Sequence, residues 1–440
     1  MPSRGSVRAV AAWLALLATL CTSTALAQPS PSTTAVALSL DDAIAVALKQ
    51  NLQYQSARVA VQTSLAQLTQ ARAPELPGLA IQDTYQYVSN IAELSTPLGP
   101  IPFSTVKDTN VPIIALQYTL FDGGLTAARV GQSVAGLAAS EASRREVRGT
   151  VIAGVASAYY GLLSAFQMKA VAQRAVNVAA AHVAQARQLL AQGLIARADL
   201  LRAQAEEANE ELNEISAANA VDLAQVSLDN VMGVPLTKLY DPTDRLDAPA
   251  PPLHLDSLIA SAHAQRGELA AAQAAVTAAR RAVEAAQAGH WPSIKTTVAD
   301  GNTQPAVIGG YHNQFSVELS AVWALFDNGY TAGRVAEARA AVEQAQLGVS
   351  QLGNGIDLQV RQAYLNVTEA QARVSAARRL VILADENLRL AQVRYRGGVG
   401  TALELQDAEL RDRSAQQALT GAFASLRQSV VAVRFAAGLL

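Results

Sequence analysis

Two stretches of the chain carry an apolar or aromatic side chain at every second position, with mostly smaller or polar residues between. In one, Ile114, Leu116, Tyr118 and Leu120 alternate with Ile113, Ala115, Gln117 and Thr119. In the other, Phe315, Val317, Leu319, Ala321, Trp323 and Leu325 alternate with Gln314, Ser316, Glu318, Ser320, Val322 and Ala324. A period of two predicts strands, and runs of about 10 residues suit a tilted strand crossing a bilayer. Weaker alternation at Leu79, Ile81, Tyr85 and Tyr87, and at Ile294, Thr296 and Val298, supplies a partner for each and predicts two hairpins. An apolar outside and a polar inside mark a membrane barrel. A half-buried soluble sheet alternates too.

Elsewhere the spacing is helical. Helices are predicted over 41–72 and 256–289, with Asp41 and Asp256 as N-caps. Very long helices follow over 125–192 and 330–396, then final helices over 198–232 and 402–437. A helix of about 68 residues spans roughly 100 Å. Its apolar face carries Val151, Val155, Tyr159, Leu162 and Phe166, and glycines at 131, 136, 149, 154 and 161 predict bends. In the helix after it, Leu201, Ala205, Ala208, Leu212 and Ile215 form a coiled-coil seam. Tyr159 and Tyr364 read as core residues.

The plan occurs twice. A shift of 205 residues maps Phe121-Asp122-Gly123-Gly124 onto Phe326-Asp327-Asn328-Gly329, Tyr159 onto Tyr364 and Gly193 onto Gly398. A shift of 215 maps Leu38-Ser39-Leu40-Asp41 onto Leu253-His254-Leu255-Asp256. Pro235, Pro242, Pro249, Pro251 and Pro252 mark a linker, since proline cannot continue a helix. The expected organisation is a first repeat over 38–234, a linker over 235–252 and a second repeat over 253–440.

Composition agrees with long, closely packed helices: aromatics are 5% and charged residues 16% of the 440-residue chain. The net charge of −2 gives no basic surplus for nucleic acid. Arg4 and Arg8, the apolar run 9–20 and Ala25-Leu26-Ala27 predict a signal peptide over 1–27, followed by an extended segment over 28–37. The only cysteine, Cys21, lies in that leader, so no thiolate site is expected. No later segment reads as a transmembrane helix, because charged or amide side chains are taken to interrupt every apolar stretch. His182, His254, His263, His290 and His312 show no metal-ligand spacing. No nucleophile elbow, phosphate loop or dinucleotide fingerprint is present. Neither an enzyme nor a cofactor is expected. Trp291 and Trp323, with Tyr85, Tyr87 and Tyr118, are placed for interfacial belts or for packing inside a barrel.

Four membrane strands cannot close a barrel, which takes about eight, and hydrocarbon leaves open strand edges unsatisfied. The chain must therefore associate with others. At this point it resembles the TolC-like outer-membrane efflux family over essentially its whole length after the leader. The resemblance rests on the twice-repeated order of elements and on Leu-Ser-Leu-Asp-Asp-Ala (38–43), Leu-Phe-Asp-Gly-Gly (120–124), Leu-Phe-Asp-Asn-Gly (325–329), Gln192-Gly193-Leu194-Ile195 and Arg396-Gly397-Gly398-Val399-Gly400-Thr401. It implies a mostly α fold with a membrane β-barrel segment. It also implies a homotrimer, in which twelve strands form one barrel continued by a twelve-helix periplasmic α-barrel. The implied function is an exit duct for a tripartite efflux or type I secretion system, with a periplasmic adaptor and an inner-membrane transporter as partners.

Under the resemblance the turns at 193–197 and 397–401 are the periplasmic tips, and Gly193, Leu194, Ile195, Gly398, Val399, Gly400 and Thr401 dock the adaptor. The same residues serve as plain helix C-caps. Asp199, Arg202, Glu404 and Asp407, just past the turns, are implied to line a periplasmic aperture, with Arg202 available to pair with Glu404 or Asp407. Carboxylates there also answer the helix dipole. Ile114, Leu116, Tyr118, Leu120, Val317, Leu319, Ala321, Trp323 and Leu325 are the expected lipid-facing set. The alternative from another class is a periplasmic structural coiled-coil protein with small soluble sheets.

Overall fold

The computed structural model describes residues 36–87, 93–97, 99–102, 108–236, 239–249, 251–302, 314–397 and 399–440. The leader and most of the segment after it lie outside these residues. The first half contains β1 (Val36–Leu38), α1 (Leu40–Gln50), α2 (Leu52–Arg72), β2 (Gly78–Tyr87), β3 (Glu93–Thr96), β4 (Gly99–Pro102), β5 (Asp108–Phe121), α3 (Leu125–Ala191) and α4 (Arg197–Met232). After β6 (Tyr240–Pro242) come α5 (Leu255–Gln265), α6 (Gly267–Gln287), β7 (Ser293–Gly301), β8 (Gln314–Val322), α7 (Tyr330–Arg396) and α8 (Ala402–Ala436).

Each first helix of a repeat is two helices, not the single one expected. Asn51 breaks the first: its Oδ1 accepts from the Tyr54 amide at 3.1 Å while its Nδ2 donates to the Val231 carbonyl at 2.8 Å. Arg266 holds the equivalent break 215 residues later. Its buried guanidinium contacts Glu268 at 3.0 Å and Glu146 at 3.4 Å, and lies 5.2 Å from the Phe435 ring centroid. The N-caps also differ from expectation. They are Ser39 and His254, because the backbone is already helical at Leu40 and Leu255, one residue before each aspartate. Ser39 Oγ accepts from the Asp42 amide at 3.2 Å, which leaves Asp41 and Asp42 in the first turn, where the helix dipole favours them.

The four-residue Phe-Asp motif converts strand into long helix. Asp122 accepts from the Gly124 amide at 3.0 Å and the Thr126 amide at 2.7 Å. Asp327 does the same with Gly329 at 3.1 Å and Thr331 at 2.8 Å. Both turns need left-handed backbone: φ is 89° at Gly124 and 83° at Gly329, and Asn328 adopts 56°.

Two four-helix layers share α3 and α7. In the layer next to the sheet the order is α2–α3–α6–α7, and in the far layer it is α4–α3–α8–α7. Where the layers meet, each repeat has its own core. One gathers Val155, Tyr159, Leu162, Leu228 and Met232, the other Ile356, Val360, Val367 and Val433. Around Tyr159, α3 has the uncharged run 149–168, and by length and composition this helix could cross a membrane. That corrects the expectation of interrupted stretches. Val151, Val155, Tyr159 and Leu162 of the run are buried among protein helices. The Tyr159 hydroxyl contacts the Leu38 carbonyl at 2.9 Å and Asp244 Oδ2 at 2.7 Å, while Asp244 Oδ2 accepts from the Leu40 amide at 2.8 Å. This hub ties the start of the repeat to the linker, where β1 and β6 pair in parallel.

The sheet has the order β2-β5-β7-β8, antiparallel throughout. The two expected hairpins are thus joined through β5 and β7, with Leu116 opposite Val298. A bulge lies between Thr119 and Phe121.

The C-terminal ends of α4 and α8 press on the two helix breaks. Gly233 (φ 74°) and Gly438 (φ 73°) are related by the shift of 205. A Cβ on Gly233 would lie 2.9 Å from the Asn51 Cα. Gly233→Ala therefore combines left-handed strain with a backbone clash, and a loss of about 1–3 kcal/mol is expected. A fall in the thermal unfolding midpoint of the purified protein checks this.

Candidate functional site

Directly opposed residues of an antiparallel sheet share a face, so the register sorts the strands. One face carries Leu79, Ile81, Ile114, Leu116, Val298, Val317 and Leu319. The other carries Gln82, Thr84, Gln117, Thr297, Ser316 and Glu318. The apolar face is bare: Leu79, Ile81, Val317 and Leu319 are each 65–76% exposed. No helix of this chain covers it among the described residues. Of the expected apolar set, Ile114, Leu116, Tyr118 and Leu120 lie in β5 and Val317, Leu319 and Ala321 in β8. Trp323 and Leu325 fall outside, because β8 ends at Val322, and the Trp323 Nε1 donates to the His290 carbonyl at 3.1 Å. Trp291 and Trp323 therefore flank the helical end of the sheet, while Tyr85 and Tyr87 lie at its other end, opposite Asn110 and Asp108.

Both sheet edges are open. β2 and β8 each have one hydrogen-bonded neighbour among the described residues. The far helical layer ends in the same way, on α4 and α7. The predicted seam of α4 does not face α3. Leu201, Leu212 and Ile215 are 55–66% exposed, and α4 instead buries Val221, Leu228 and Met232. α7 likewise exposes Leu358, Leu365, Leu383 and Leu390. A coiled-coil face this apolar is stable in water only when covered.

The tips are well-formed caps. The Leu194 amide donates to the Leu189 carbonyl and the Gly193 amide to the Leu190 carbonyl, both at 2.9 Å, with Gly193 at φ 71°. At the second tip the amides of Val399 and Gly400 both donate to the Arg394 carbonyl at 3.1 Å. Gly398 lies outside the described residues. Leu194 and Val399 are 67% and 74% exposed, so the caps are also apolar surface. Asp199, Arg202, Glu404 and Asp407 all lie within two turns of these caps. Arg202 pairs with Asp199 at 3.3 Å and not with either acid of α8. Glu404 pairs with Arg394 at 3.5 Å, and Asp407 with Arg411 at 2.9 Å. These pairs are exposed, two of them lying within one helix and the Arg394–Glu404 pair bridging α7 and α8, which leaves each carboxylate partly neutralised.

One site escaped the sequence. His182, Glu206 and Glu409, from α3, α4 and α8, line a common cavity. They are more than 200 residues apart at the extremes and share no motif.

A polar sheet face, a bare apolar face opposite it and open strand and helix edges are the features of one segment of a membrane wall. The sequence profile of outer membrane efflux proteins matches residues 43–234 and 258–439. The chain belongs to the outer membrane efflux protein family. It resides in the outer membrane with its helical part in the periplasm, and it is an exit duct of the tripartite efflux or secretion type. In general the family works as a trimeric channel with an adaptor and an inner-membrane pump. The chain is similar to protein CyaE of Bordetella pertussis, with 27% identity over 421 residues, 93% of this chain and 86% of the relative. It is 23% identical to the outer membrane protein TolC of Escherichia coli K12, over 81% of this chain and 73% of that one. The solved structure of the outer membrane protein VceC from Vibrio cholerae shares the fold, with a TM-score of 0.76 at 20% identity, over 91% of this chain and 96% of that one. The reading as a structural coiled-coil protein with soluble sheets is thereby set aside.

Thr401 caps α8 by accepting from the Glu404 amide at 3.2 Å. Thr401→Ala is expected to weaken the first turn by about 1 kcal/mol. Amide exchange at Glu404 in the mutant then runs roughly five times faster than in the parent.

Proposed function

We propose that three copies of the chain close into one passive duct. The carrying observation is the matched pair of open edges. β8 and α7 on one side of the subunit face β2 and α4 on the other, and joining unlike edges head to tail closes a ring. Three four-stranded sheets make a twelve-stranded barrel, and each helical layer becomes a ring of twelve helices. The face carrying Leu79, Ile114, Leu116, Val317, Leu319 and Ala321 meets lipid, and the face carrying Gln82, Gln117 and Glu318 lines the lumen. The chain performs no catalysis. The energy comes from an inner-membrane transporter, and a periplasmic adaptor docks at Gly193–Ile195 and at 398–401. Residues 1–27 act as the signal peptide, and the two repeats span 38–234 and 253–440 around the 235–252 linker.

The assembly is tested on detergent-extracted outer membranes. A particle with the mass of three chains supports the reading, and a water-soluble single chain sinks it. The orientation of the sheet has its own test. Leu79→Lys places a cation on the lipid face and is expected to cost about 2–4 kcal/mol near the midplane. Gln82→Lys, on the opposite face, leaves folding into lipid vesicles unchanged.

Asp199, Arg202, Glu404 and Asp407 line the periplasmic aperture. Their in-chain pairing makes its preference for cations modest, since the arginines offset part of the carboxylate charge. Replacing Asp199 and Asp407 together by Ala should lower cation preference in planar-bilayer recordings and raise single-channel conductance. Unaltered conductance and selectivity would remove these residues from the aperture and leave the duct standing.

A further inference from the structure

We propose that His182, Glu206 and Glu409, gathered from three helices into one cavity, form a proton-operated latch between the α3–α4 hairpin and α8. The cavity holds about 220 Å³ and lies midway along the far helical layer. Ala175, Ala179 and Ala203 give its wall a small apolar patch, and Arg174, Glu210, Gln406, Asp412, Arg413 and Gln416 complete a mixed polar lining. His182 Nε2 lies 3.2 Å from Glu409 Oε1. In the far layer the two hairpins, α3–α4 and α7–α8, touch through α3 and α8, so the cluster sits on the contact that would part if the hairpins moved. All three helices belong to one chain, so the device does not depend on how many copies assemble.

Other charged groups face the cluster from each of these helices. α3 also supplies Arg174, and α4 supplies Glu210, which is buried against Arg413 of α8 and accepts from Asn213 at 3.2 Å. That pair is internally neutral. Asp412 of α8 accepts from Gln416 at 2.7 Å and is pushed up by burial and by Asp385 of α7. From α7 the wall is Leu388. Burial first, and then the charge of Glu206, pushes the Glu409 carboxyl from 4.5 up to about 7. Burial pushes His182 down from 6.5.

Packed and parted hairpins bind protons differently. Packed, Glu409 keeps its proton up to about pH 7, and His182 takes one up only below its ordinary 6.5. Parted and hydrated, the two return toward 4.5 and 6.5. An acid raised in the packed state favours packing at low pH and opposes it as pH rises through the window between the two values. A histidine lowered in the packed state opposes packing below its ordinary value. Between pH 4.5 and 6.5 the two effects oppose each other, because the parted state gives up the Glu409 proton and gains one on His182. Above 6.5 Glu409 acts alone and loosens the latch.

The test reads exposure of the cavity in the assembled full chain. Ala179→Cys, in a Cys21→Ser background, places one buried thiol in the wall. Its alkylation rate at each pH is divided by that of the same chain unfolded in guanidinium, which removes the thiol's own titration. With both groups present the ratio changes less between pH 5 and 6.5 than in either single variant, and it rises about threefold by pH 8, the half unit between 6.5 and 7. His182→Gln unmasks Glu409, and the ratio climbs about tenfold per unit from pH 4.5 to 7. Glu409→Gln leaves His182 alone, so the ratio is level above 6.5 and rises as pH falls below it. Three coincident profiles, or curves displaced without any change of slope, overturn the latch. So does a neutral-range rise that survives Glu409→Gln.

Discussion

Hydrocarbon offers no hydrogen bonds, and a strand edge in it leaves a row of amides and carbonyls unsatisfied at several kcal/mol each. That constraint governs the rest of the molecule. A sheet of four strands has two such edges, β2 and β8, and nothing in the chain covers either among the described residues. The helical layers repeat the condition in water-soluble form, with the uncovered apolar seams of α4 and α7. The same subunit boundary thus recurs from the membrane to the tips, once as open hydrogen bonding and once as open hydrophobic surface. The duct of the efflux family is the structure in which both are closed at once.

The duplication carries this geometry at low informational cost. Asn51 and Arg266 break the entry helices at equivalent points by different chemistry, an amide bridging two backbones and a buried guanidinium with two carboxylates. Gly233 and Gly438 lie against those breaks with nearly the same φ. Asp122 and Asp327 start the long helices through the same pair of amides. Conformational positions are preserved where the chain turns, while the side chains filling the two cores are free to diverge.

Much of this was legible from residue order. The alternation at 113–120 and 314–322, the long helices and the shift between copies each rest on local periodicity, which one sequence displays fully. The helix breaks were hidden because Asn51 and Arg266 interrupt no apolar pattern and are fixed in part by partners far along the chain, Val231 for the first and Glu146 and Ala436 for the second. The seam at Leu201–Ile215 was visible as a pattern, but periodicity cannot say which neighbour it meets. The end of β8 before Trp323 was misread because alternation continues past the last ladder bond. The His182 cavity had no signal at all, since its members come from three helices and only the packed layer makes them neighbours.

Head-to-tail closure makes every copy answerable for two joints. A chain whose β8 edge is spoiled still accepts a neighbour on β2 and then ends the ring. In the proposed three-membered wall, mixing such a chain with sound ones leaves intact rings in proportion to the cube of the sound fraction. Damage confined to one edge strand would therefore act as a poison in a mixed population, whereas loss of the whole chain would only thin the number of ducts.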